Sequence, residues 1–295
     1  MGMERLTMGP RTSWFTRYSH DALAWEYDYR HNKLTPGELE WYLKYARRTG
    51  GPILELACGT GRLLIAVAQA GYRIDGLDLS GAMLRLLKMK LCGLDPEVRR
   101  RIRLRQADML RFAPSVRYPL AILAYNSLQE LETRAQQLFC LQHVHACLRE
   151  GGYFLLMVAR ARWDRYGNGQ EYVVDWFDAP AVDVENGISV GSRTVTRLDV
   201  EARLAVRRVI FVIRRRDCPE ERVELLRRVP LVAASEYRLM MESAGFDVRV
   251  YSGYDEQPED GRSQILCFVA RKRRLPARRK RSAGRPKSRS AHTKR

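Results

Sequence analysis

The residues best suited to ligand chemistry lie in the segment 53–80, which reads ILELACGTGRLLIAVAQAGYRIDGLDLS. Gly59 and Gly61 form a G-x-G pattern in it, and glycines let a ligand approach backbone N–H groups closely. Asp78 follows with a carboxylate that can accept hydrogen bonds from both hydroxyls of a ribose. The segment therefore predicts a site for a ligand that contains a ribose.

Two common nucleotide motifs are missing from this segment. The dinucleotide fingerprint G-x-G-x-x-G requires a third glycine, and Leu64 stands at that position, so the close helix–strand approach of the motif is not expected. The sequence also contains no G-x-x-x-x-G-K-[ST] loop, which argues against a nucleoside triphosphate. The ligand is thus expected to be neither a dinucleotide nor a triphosphate.

One βαβ unit must position these residues. The mostly apolar run 53–57 predicts a buried strand, and the apolar residues after Gly61 recur at helical spacing until Gly71 ends the helix. Residues 72–79 predict a second strand that ends near Asp78. A right-handed crossover between parallel strands brings the glycine turn and Asp78 to the same edge of a sheet.

The segment closely resembles motif I of class I S-adenosylmethionine (SAM)-dependent methyltransferases, whose form is h-h-E/D-h-x-x-G-x-G. The resemblance begins at Glu55 and continues through Asp78-Leu79-Ser80 and Met83, as in D-x-S-x-x-M-L. It implies SAM as the cofactor, with Glu55 supporting the glycine turn and Asp78 holding the ribose. Ten residues are expected to contribute to the cofactor site: Tyr18, Glu55, Ala57, Gly59, Gly61, Asp78, Met83, Asp108, Met109 and Asn126.

Three further segments acquire roles from the same resemblance. Asp108 and Met109 follow the predicted strand 102–106, where the family holds adenine. Asp108 alone would be as well explained as a turn residue, and its place in the order of motifs favours the adenine role. The segment that begins at Asn126 resembles N-S-h-x-x-h, which lines the opening to the methyl group. In the N-terminal segment, Tyr18, Ala22, Tyr27 and Asp28 resemble a helix that covers SAM.

The resemblance implies an α/β fold with a Rossmann-like seven-stranded sheet. We expect four parts: an N-terminal lid and SAM-binding core over 1–160, a β-rich insertion over 161–232, a final helix and two strands over 233–270, and a disordered basic tail over 271–295. The insertion is expected to be antiparallel because four strand-like runs alternate with turn signals. In related methyltransferases such an insertion covers the pocket, and here Asp175, Trp176 and Arg193 are candidate acceptor contacts.

Composition limits the remaining classes of function. Six cysteines are scattered without a C-x-x-C pair, which favours free thiols in a reducing compartment. No metal-ligand cluster, no apolar run long enough to cross a membrane and no apolar signal core occur, so we expect no metal, no membrane partner and a cytoplasmic protein. Of the formal net charge of +18, residues 271–295 contribute 13, because they hold 13 lysines and arginines and no acid.

The predicted function is methyl transfer from SAM to an amine or hydroxyl of a small molecule. No dedicated general base is evident. A hydroxyl acceptor would need a base near Tyr125 or in the N-terminal lid, where His20 and His31 are candidates. Two alternatives stay open. One is methylation of RNA or DNA aided by non-specific phosphate binding through 271–295, which the absence of an [ND]-P-P-[FYW] signature opposes for base amines. The other is a non-enzymatic nucleic-acid-binding protein. The oligomeric state is open.

Overall fold

Two β-sheets organise the chain in a computed structural model that describes residues 20–114, 116–160 and 169–273. The strands within these ranges are β1 (Ile53–Leu56), β2 (Ile74–Asp78), β3 (Ile102–Gln106), β4 (Tyr118–Leu123), β5 (Leu148–Ala159), β6 (Glu171–Asp175), β7 (Ala181–Asp183), β8 (Ile188–Asp199), β9 (Leu204–Arg215), β10 (Glu221–Pro230), β11 (Phe246–Tyr251) and β12 (Ile265–Lys272). The helices are α1 (Asp21–His31), α2 (Glu38–Thr49), α3 (Arg62–Gln69), α4 (Gly81–Cys92), α5 (Pro96–Arg100), α6 (Arg134–Cys147) and α7 (Ala234–Ser243).

The larger sheet, called the core sheet, has seven strands in the order β11-β12-β5-β4-β1-β2-β3. Strands β1 to β5 pair in parallel, and β12 runs antiparallel to both β5 and β11. This arrangement confirms the predicted α/β fold with a seven-stranded sheet. Because all five parallel strands end at one edge, the segments that follow them meet there.

Helices cover both faces of the core sheet, as the alternation of its buried residues requires. Leu54 and Leu56 of β1 belong to the apolar cluster formed with α6 and α7. Ile53 points to the opposite face and belongs to the cluster formed with α2, α3 and α4. All four residues of β1 are buried, which is typical of a central parallel strand.

Leu64, which replaces the third glycine of the dinucleotide fingerprint, packs directly over Gly76 of β2. A Cβ added at Gly76 would lie 2.2 Å from Leu64 Cδ1 and 3.0 Å from Cys58 Sγ. The close approach of helix and strand is therefore present, but the glycine that permits it is on the neighbouring strand. The expectation that this approach would be missing was wrong for that reason.

The smaller sheet, called the insert sheet, contains β6 to β10. Its order is β10-β9-β8-β6, with the short β7 also paired to β8, and every pair is antiparallel. Four of its strands, β6, β8, β9 and β10, lie where the sequence has its four strand-like runs. The three-residue β7 and the short helix α5 were not predicted, because neither is long enough to show a period.

Helix α1 joins the two sheets. Ala22 and Leu23 pack against residues of β8, β9 and β10, including Phe211. On another side of the helix, Ala24 packs against Ala82 and Met83 at the start of α4. The aromatic N-terminal segment is thus a helix packed between the core and the insert sheet.

The C-terminal strand is longer than the sequence indicated. Strand β12 continues to Lys272, where Arg271 and Lys272 pair with Asp247 and Phe246 of β11. Lys272 Nζ also donates to the carbonyl groups of His145, at 3.1 Å, and Leu148, at 3.0 Å. The boundary predicted at 270 therefore lies two residues too early, and residues 274–295 fall outside the described ranges. No helix within those ranges is long and apolar enough to cross a membrane.

Candidate active site

A cavity of about 480 Å³ opens at the edge of the core sheet where β1, β2, β3, β4 and β5 end. Its volume lies in the range of roughly 300–1,000 Å³ that is usual for small-molecule sites. Seven of the ten residues predicted from the sequence line it: Ala57, Gly59, Asp78, Met83, Asp108, Met109 and Asn126. Glu55 and Gly61 are described but are not among the lining residues, and Tyr18 lies outside the described ranges.

Asp78 fixes the glycine turn that follows β1. The Gly59 N–H donates to Asp78 Oδ2 at 2.8 Å, and the Ser80 N–H donates to Asp78 Oδ1 at 2.8 Å. Burial raises the pKa of Asp78, and these two hydrogen bonds oppose that rise. The Asp78 carboxylate therefore lies at the cavity wall. One of its oxygens is held by the turn after β1, and the other is held by the segment after β2.

The two glycines of the turn have different surroundings. Both have a positive φ, +55° at Gly59 and +83° at Gly61. A Cβ at Gly61 would lie 2.3 Å from Leu87 Cδ1, so this glycine is needed for contact with α4. A Cβ at Gly59 would meet no described atom within 4 Å, because that position faces the cavity. Gly59 thus keeps the turn accessible to a ligand, whereas Gly61 allows the turn to pack.

Glu55 is buried in β1 beside the glycine turn. Its side chain is almost inaccessible, and its Oε2 accepts no hydrogen bond from the described part of the chain. Burial raises the pKa of Glu55 to about 8, against the opposing effect of Arg62. A buried acceptor without a hydrogen-bond donor costs free energy of folding, so we expect Glu55 either to accept a hydrogen bond from a ligand or to be protonated.

Asp108 and Met109 form the cavity wall after β3. Asp108 Oδ1 accepts from the Leu110 N–H at 2.8 Å, and its backbone carbonyl accepts from the Phe112 N–H at 3.0 Å. These bonds hold the segment in a tight turn. They place the Asp108 carboxylate and the Met109 side chain at the end of the cavity that adjoins β3.

Asn126 shapes the wall after β4. Tyr125 and Asn126 both have positive φ values, +51° and +66°. The Asn126 side-chain oxygen accepts from the Ala159 N–H at the end of β5, and its own N–H donates to the Met157 carbonyl at 3.1 Å. Such left-handed conformations are tolerated by asparagine but are strained for tyrosine, and residues of this kind cluster at functional sites.

His31, the last residue of α1, reaches the same part of the cavity. Its Nδ1 lies 3.1 Å from the Tyr125 hydroxyl, and both side chains line the cavity. The Arg62 guanidinium lies over the Tyr125 ring, 4.6 Å from the ring centroid. His20, the other candidate base, instead pairs with Glu221 at 3.0 Å and does not line the cavity.

Asp28 attaches α1 to the glycine turn. Its Oδ1 accepts from Thr60 Oγ1 at 2.5 Å and from Lys90 Nζ at 2.6 Å. Lys90 also donates to the Thr60 carbonyl at 3.1 Å. Through these bonds α1 covers the cavity, and Tyr27 joins its lining.

The insert sheet contributes residues that sequence reasoning missed. Arg207 of β9 and Arg227 of β10 line the cavity together with Glu130. The candidate acceptor contacts Asp175, Trp176 and Arg193 do not line it. Asp175 and Arg193 pair with each other at 2.6 Å on the exposed side of the sheet.

The Arg30 guanidinium lies over the Trp176 ring, 4.8 Å from its centroid, so this third candidate packs against α1. The sequence does distinguish Arg207 and Arg227, because each is a charged residue at a strand position where the alternating pattern is otherwise apolar.

Comparisons with known proteins agree with this architecture. Residues 54–154 match the family model described as a methyltransferase domain. Two curated proteins, each named "Putative methyltransferase", are similar in sequence. YqeM of Bacillus subtilis (strain 168) is 30% identical over 109 residues, which are 37% of this chain and 42% of YqeM. GWCH70_2453 of Geobacillus sp. (strain WCH70) is 23% identical over 78% of this chain and 87% of its own length.

Two solved structures share the fold. The CcbJ methyltransferase from Streptomyces caelestis aligns with a TM-score of 0.67 and 19% identity, over 88% of this chain and 99% of CcbJ. The sugar N-methyltransferase KedS8 from Streptoalloteichus sp. aligns with a TM-score of 0.65 and 18% identity, over 92% of this chain and 99% of KedS8. Residues 54–154 therefore match a methyltransferase domain, and the cofactor that the sequence resemblance implies for this domain is SAM.

The cavity fits this cofactor chemically. SAM has an α-ammonium group, a sulfonium, a ribose diol and an adenine amine, all of which favour carboxylate or other acceptor partners. The cavity-facing carboxylates of Asp78 and Asp108 supply such acceptors. The open space in front of Gly59 leaves room for a ligand close to the turn.

Proposed function

We propose that this protein transfers the methyl group of SAM to an amino group of a small molecule. The observation that carries the proposal is a single cavity that extends from the acidic ends of β2 and β3 to the turn after β4, covered by α1 and the insert sheet. Such a cavity can hold a cofactor and a small acceptor end to end. The fold shared with the sugar N-methyltransferase KedS8 supports an amine as the acceptor group.

The cofactor residues act by position. In this proposal Gly59 and Ala57 form the backbone cradle, Asp78 accepts from the ribose hydroxyls, and Asp108 and Met109 hold the adenine. Asn126 and Met83 complete the walls, while Glu55 and Gly61 support the turn from behind. SAM supplies a methyl group already activated by its sulfonium, so orientation contributes much of the rate, roughly 7–11 kcal/mol in well-aligned reactions.

His31 is proposed to take the proton that the acceptor amine must lose. A neutral imidazole is a suitable base near neutral pH, and His31 Nδ1 is 3.1 Å from the Tyr125 hydroxyl at the cavity wall. The hydrogen bond orients the ring toward the turn after β4. Covering the site with α1 excludes water that would otherwise compete with the acceptor.

Transfer of a labelled methyl group tests this function. Purified protein is incubated with [methyl-³H]SAM and a cell extract separated into small molecules, RNA and protein. The proposal predicts label in the small-molecule fraction, little label with Asp78→Ala, and unchanged label with Asp247→Asn, a control at an exposed surface carboxylate. Label in RNA instead would favour the nucleic-acid alternative and contradict the small-molecule acceptor.

A further inference from the structure

Arg62 connects the glycine turn to the part of the cavity wall that holds Tyr125 and His31. It is the first residue of α3, directly after Gly61, and its side chain is only about 10% exposed. Its guanidinium lies over the Tyr125 ring, 4.6 Å from the ring centroid. Tyr125 and His31 line the cavity, whereas Arg62 is not among the lining residues. Arg62 therefore influences the cavity through the side chains that it contacts.

Glu38 holds the Arg62 guanidinium in one plane. Arg62 Nη1 donates to Glu38 Oε2 at 2.6 Å, and Arg62 Nη2 donates to Glu38 Oε1 at 2.7 Å. Glu38 is the first residue of α2 and is fully buried, and its Oε2 also accepts from the Thr35 N–H at 2.9 Å. Burial favours the neutral acid, but the bonds to Arg62 and Thr35 hold the pKa of Glu38 below its ordinary value. The pair is thus ionised, and its two parallel hydrogen bonds fix the orientation of the guanidinium.

The same guanidinium contacts the segment that follows α1. Arg62 Nη1 donates to the Lys33 carbonyl at 3.3 Å, and Lys33 lies two residues after His31. His31 and Tyr125 are 94 positions apart in the chain, and Nδ1 of the one lies 3.1 Å from the hydroxyl of the other. Arg62 therefore touches both segments whose side chains must meet at this wall.

Packing alone does not explain this arrangement. A cation at the first position of a helix opposes the helix dipole, and a buried ion pair is often no more stabilising than an apolar pair of similar volume. Tyr125 has a φ of +51°, a conformation that is strained for tyrosine. Arg62 and Tyr125, which stack on each other, are thus both at positions that are unfavourable for their residue type. Such positions cluster where a side chain serves a function.

We infer that Arg62, held by Glu38, is a positioning residue that fixes the Tyr125 ring so that its hydroxyl orients His31. The inference rests on the proposed function, in which His31 takes the proton of the acceptor. A guanidinium suits this role because its face stacks on an aromatic ring while its edge forms two hydrogen bonds to a carboxylate. The ammonium group of lysine forms neither contact in the same way.

Conservative replacement of Arg62 tests the inference. Arg62→Lys keeps a positive charge beside Glu38 but removes the planar group over Tyr125. Its rate of methyl transfer from [methyl-³H]SAM to the small-molecule fraction should fall about tenfold, which is less than the roughly 100-fold expected when a general base is lost. Its affinity for S-adenosylhomocysteine (SAH), the demethylated cofactor, should change by less than about twofold, because Arg62 does not line the cavity.

Two comparisons determine whether Arg62 acts through Tyr125. In the Tyr125→Phe background, which has no hydroxyl to position, Arg62→Lys should lower the transfer rate by less than about twofold further, because the two changes then interrupt one chain of contacts. NMR of protein labelled with ¹⁵N-histidine needs no acceptor, and His31→Gln assigns the His31 signals. In Arg62→Lys these signals should move from their wild-type positions toward those of Tyr125→Phe.

Arg48→Lys is the matched control. The Arg48 guanidinium also lies over a tyrosine ring, 5.3 Å from the Tyr153 centroid, and neither residue lines the cavity. This variant should leave the transfer rate, SAH affinity and the His31 signals unchanged. If Arg62→Lys does not fold, Glu38→Gln combined with Arg62→Met leaves no unpaired buried charge and should give the same loss of rate and the same shift of the His31 signals.

The inference is overturned if Arg62→Lys transfers the methyl group at the wild-type rate or leaves the His31 signals at their wild-type positions. It is also overturned if Arg62→Lys lowers the rate equally with and without the Tyr125 hydroxyl. A loss of SAH affinity as large as the loss of rate would overturn it as well, since Arg62 would then act on the glycine turn. Wild-type protein that transfers no methyl group contradicts the proposed function instead, and the NMR comparison still decides the role of Arg62.

Discussion

The Gly59 N–H donates a 2.8 Å hydrogen bond to Asp78 Oδ2, which connects the turn after β1 to the end of β2. Nineteen positions separate the two residues in the chain, and parallel pairing of β1 with β2 brings them together. The same carboxylate that lines the cavity therefore also sets the shape of the glycine turn. Ligand binding and turn geometry should respond together to a change at either residue.

Substitutions at the two glycines should separate packing from binding. Gly61→Ala places a Cβ 2.3 Å from Leu87 and strains a left-handed backbone, so we expect a loss of roughly 1–3 kcal/mol in the free energy of unfolding. Gly59→Ala carries the backbone strain without a clash, and its side chain enters the cavity.

Urea unfolding and SAH titration check this pair. Gly59→Ala should lower the free energy of SAH binding by more than it lowers the free energy of unfolding. Gly61→Ala should instead lower the free energy of unfolding by more than it lowers the free energy of SAH binding. Adding Leu87→Ala to Gly61→Ala should remove the steric part of the destabilisation. An equal loss of stability in both single variants would contradict the separate roles assigned to the two glycines.

Glu55 should make the stability of the SAM-free protein depend on pH. Burial raises its folded-state pKa to about 8, above the ordinary value of 4.5, so the folded protein holds a proton that the unfolded chain releases. Its contribution is full below about pH 4.5 and is lost as pH rises toward 8. Glu55→Gln keeps the shape and removes the titration.

We therefore expect the free energy of unfolding of Glu55→Gln, relative to wild type, to grow by roughly 3–5 kcal/mol between pH 4.5 and pH 8.5. Urea unfolding across this range measures the difference. A difference that is constant with pH would show that Glu55 ionises normally in the folded protein.

Replacing His31 should slow transfer without removing cofactor binding. General-base groups typically contribute at least about 100-fold, so His31→Gln should lower kcat by roughly that factor. Tyr125→Phe, which removes the hydroxyl 3.1 Å from Nδ1, should lower kcat less. Equal kcat values for His31→Gln and wild type would exclude His31 as the base.

Two truncations should distinguish the basic C-terminal segment from the last strand. Removal of 274–295, which holds ten of the 13 basic residues counted above, should preserve stability and SAH affinity. It should also abolish most binding to a single-stranded oligonucleotide, and that binding should weaken steeply with salt because it depends on counterion release. Fluorescence anisotropy at several salt concentrations measures this effect.

Truncation after Ala270 should additionally destabilise the fold, because it removes Lys272 and its two hydrogen bonds to backbone carbonyl groups. The loss is expected to be roughly 1–3 kcal/mol. Oligonucleotide affinity that is unchanged after removal of 274–295 would contradict a role for this segment in phosphate binding.

Local sequence patterns sufficed for the parts of the fold that have a period or a motif. Strand β3 was predicted with the bounds that the structure shows, and the turn from Gly59 to the end of β2 followed from motif spacing. The end of β12 was misjudged because Arg271 and Lys272 look like the basic residues after them. Only pairing with β11 assigns them to a strand.

The parts that escaped prediction depend on contacts between distant segments. His31 became a specific candidate only when α1 was seen to end beside Tyr125. Arg207 and Arg227 stand in apolar alternations, but their direct opposition depends on the register of β9 and β10. A charged residue at a strand position whose neighbours in the alternation are apolar can therefore be recognised from the sequence as a candidate functional residue.

Titration of the purified wild-type protein and of Asp78→Ala with SAH tests cofactor binding at this cavity most directly. Wild type is expected to bind one SAH per chain. Asp78→Ala is expected to lose roughly 10–100-fold or more in SAH affinity, because a charged acceptor and the anchor of the Gly59 turn are both removed. The Asp247→Asn control should match wild type. A folded wild-type protein that binds no SAH, or an Asp78→Ala variant that binds it equally well, would show that the cavity is not the SAM site.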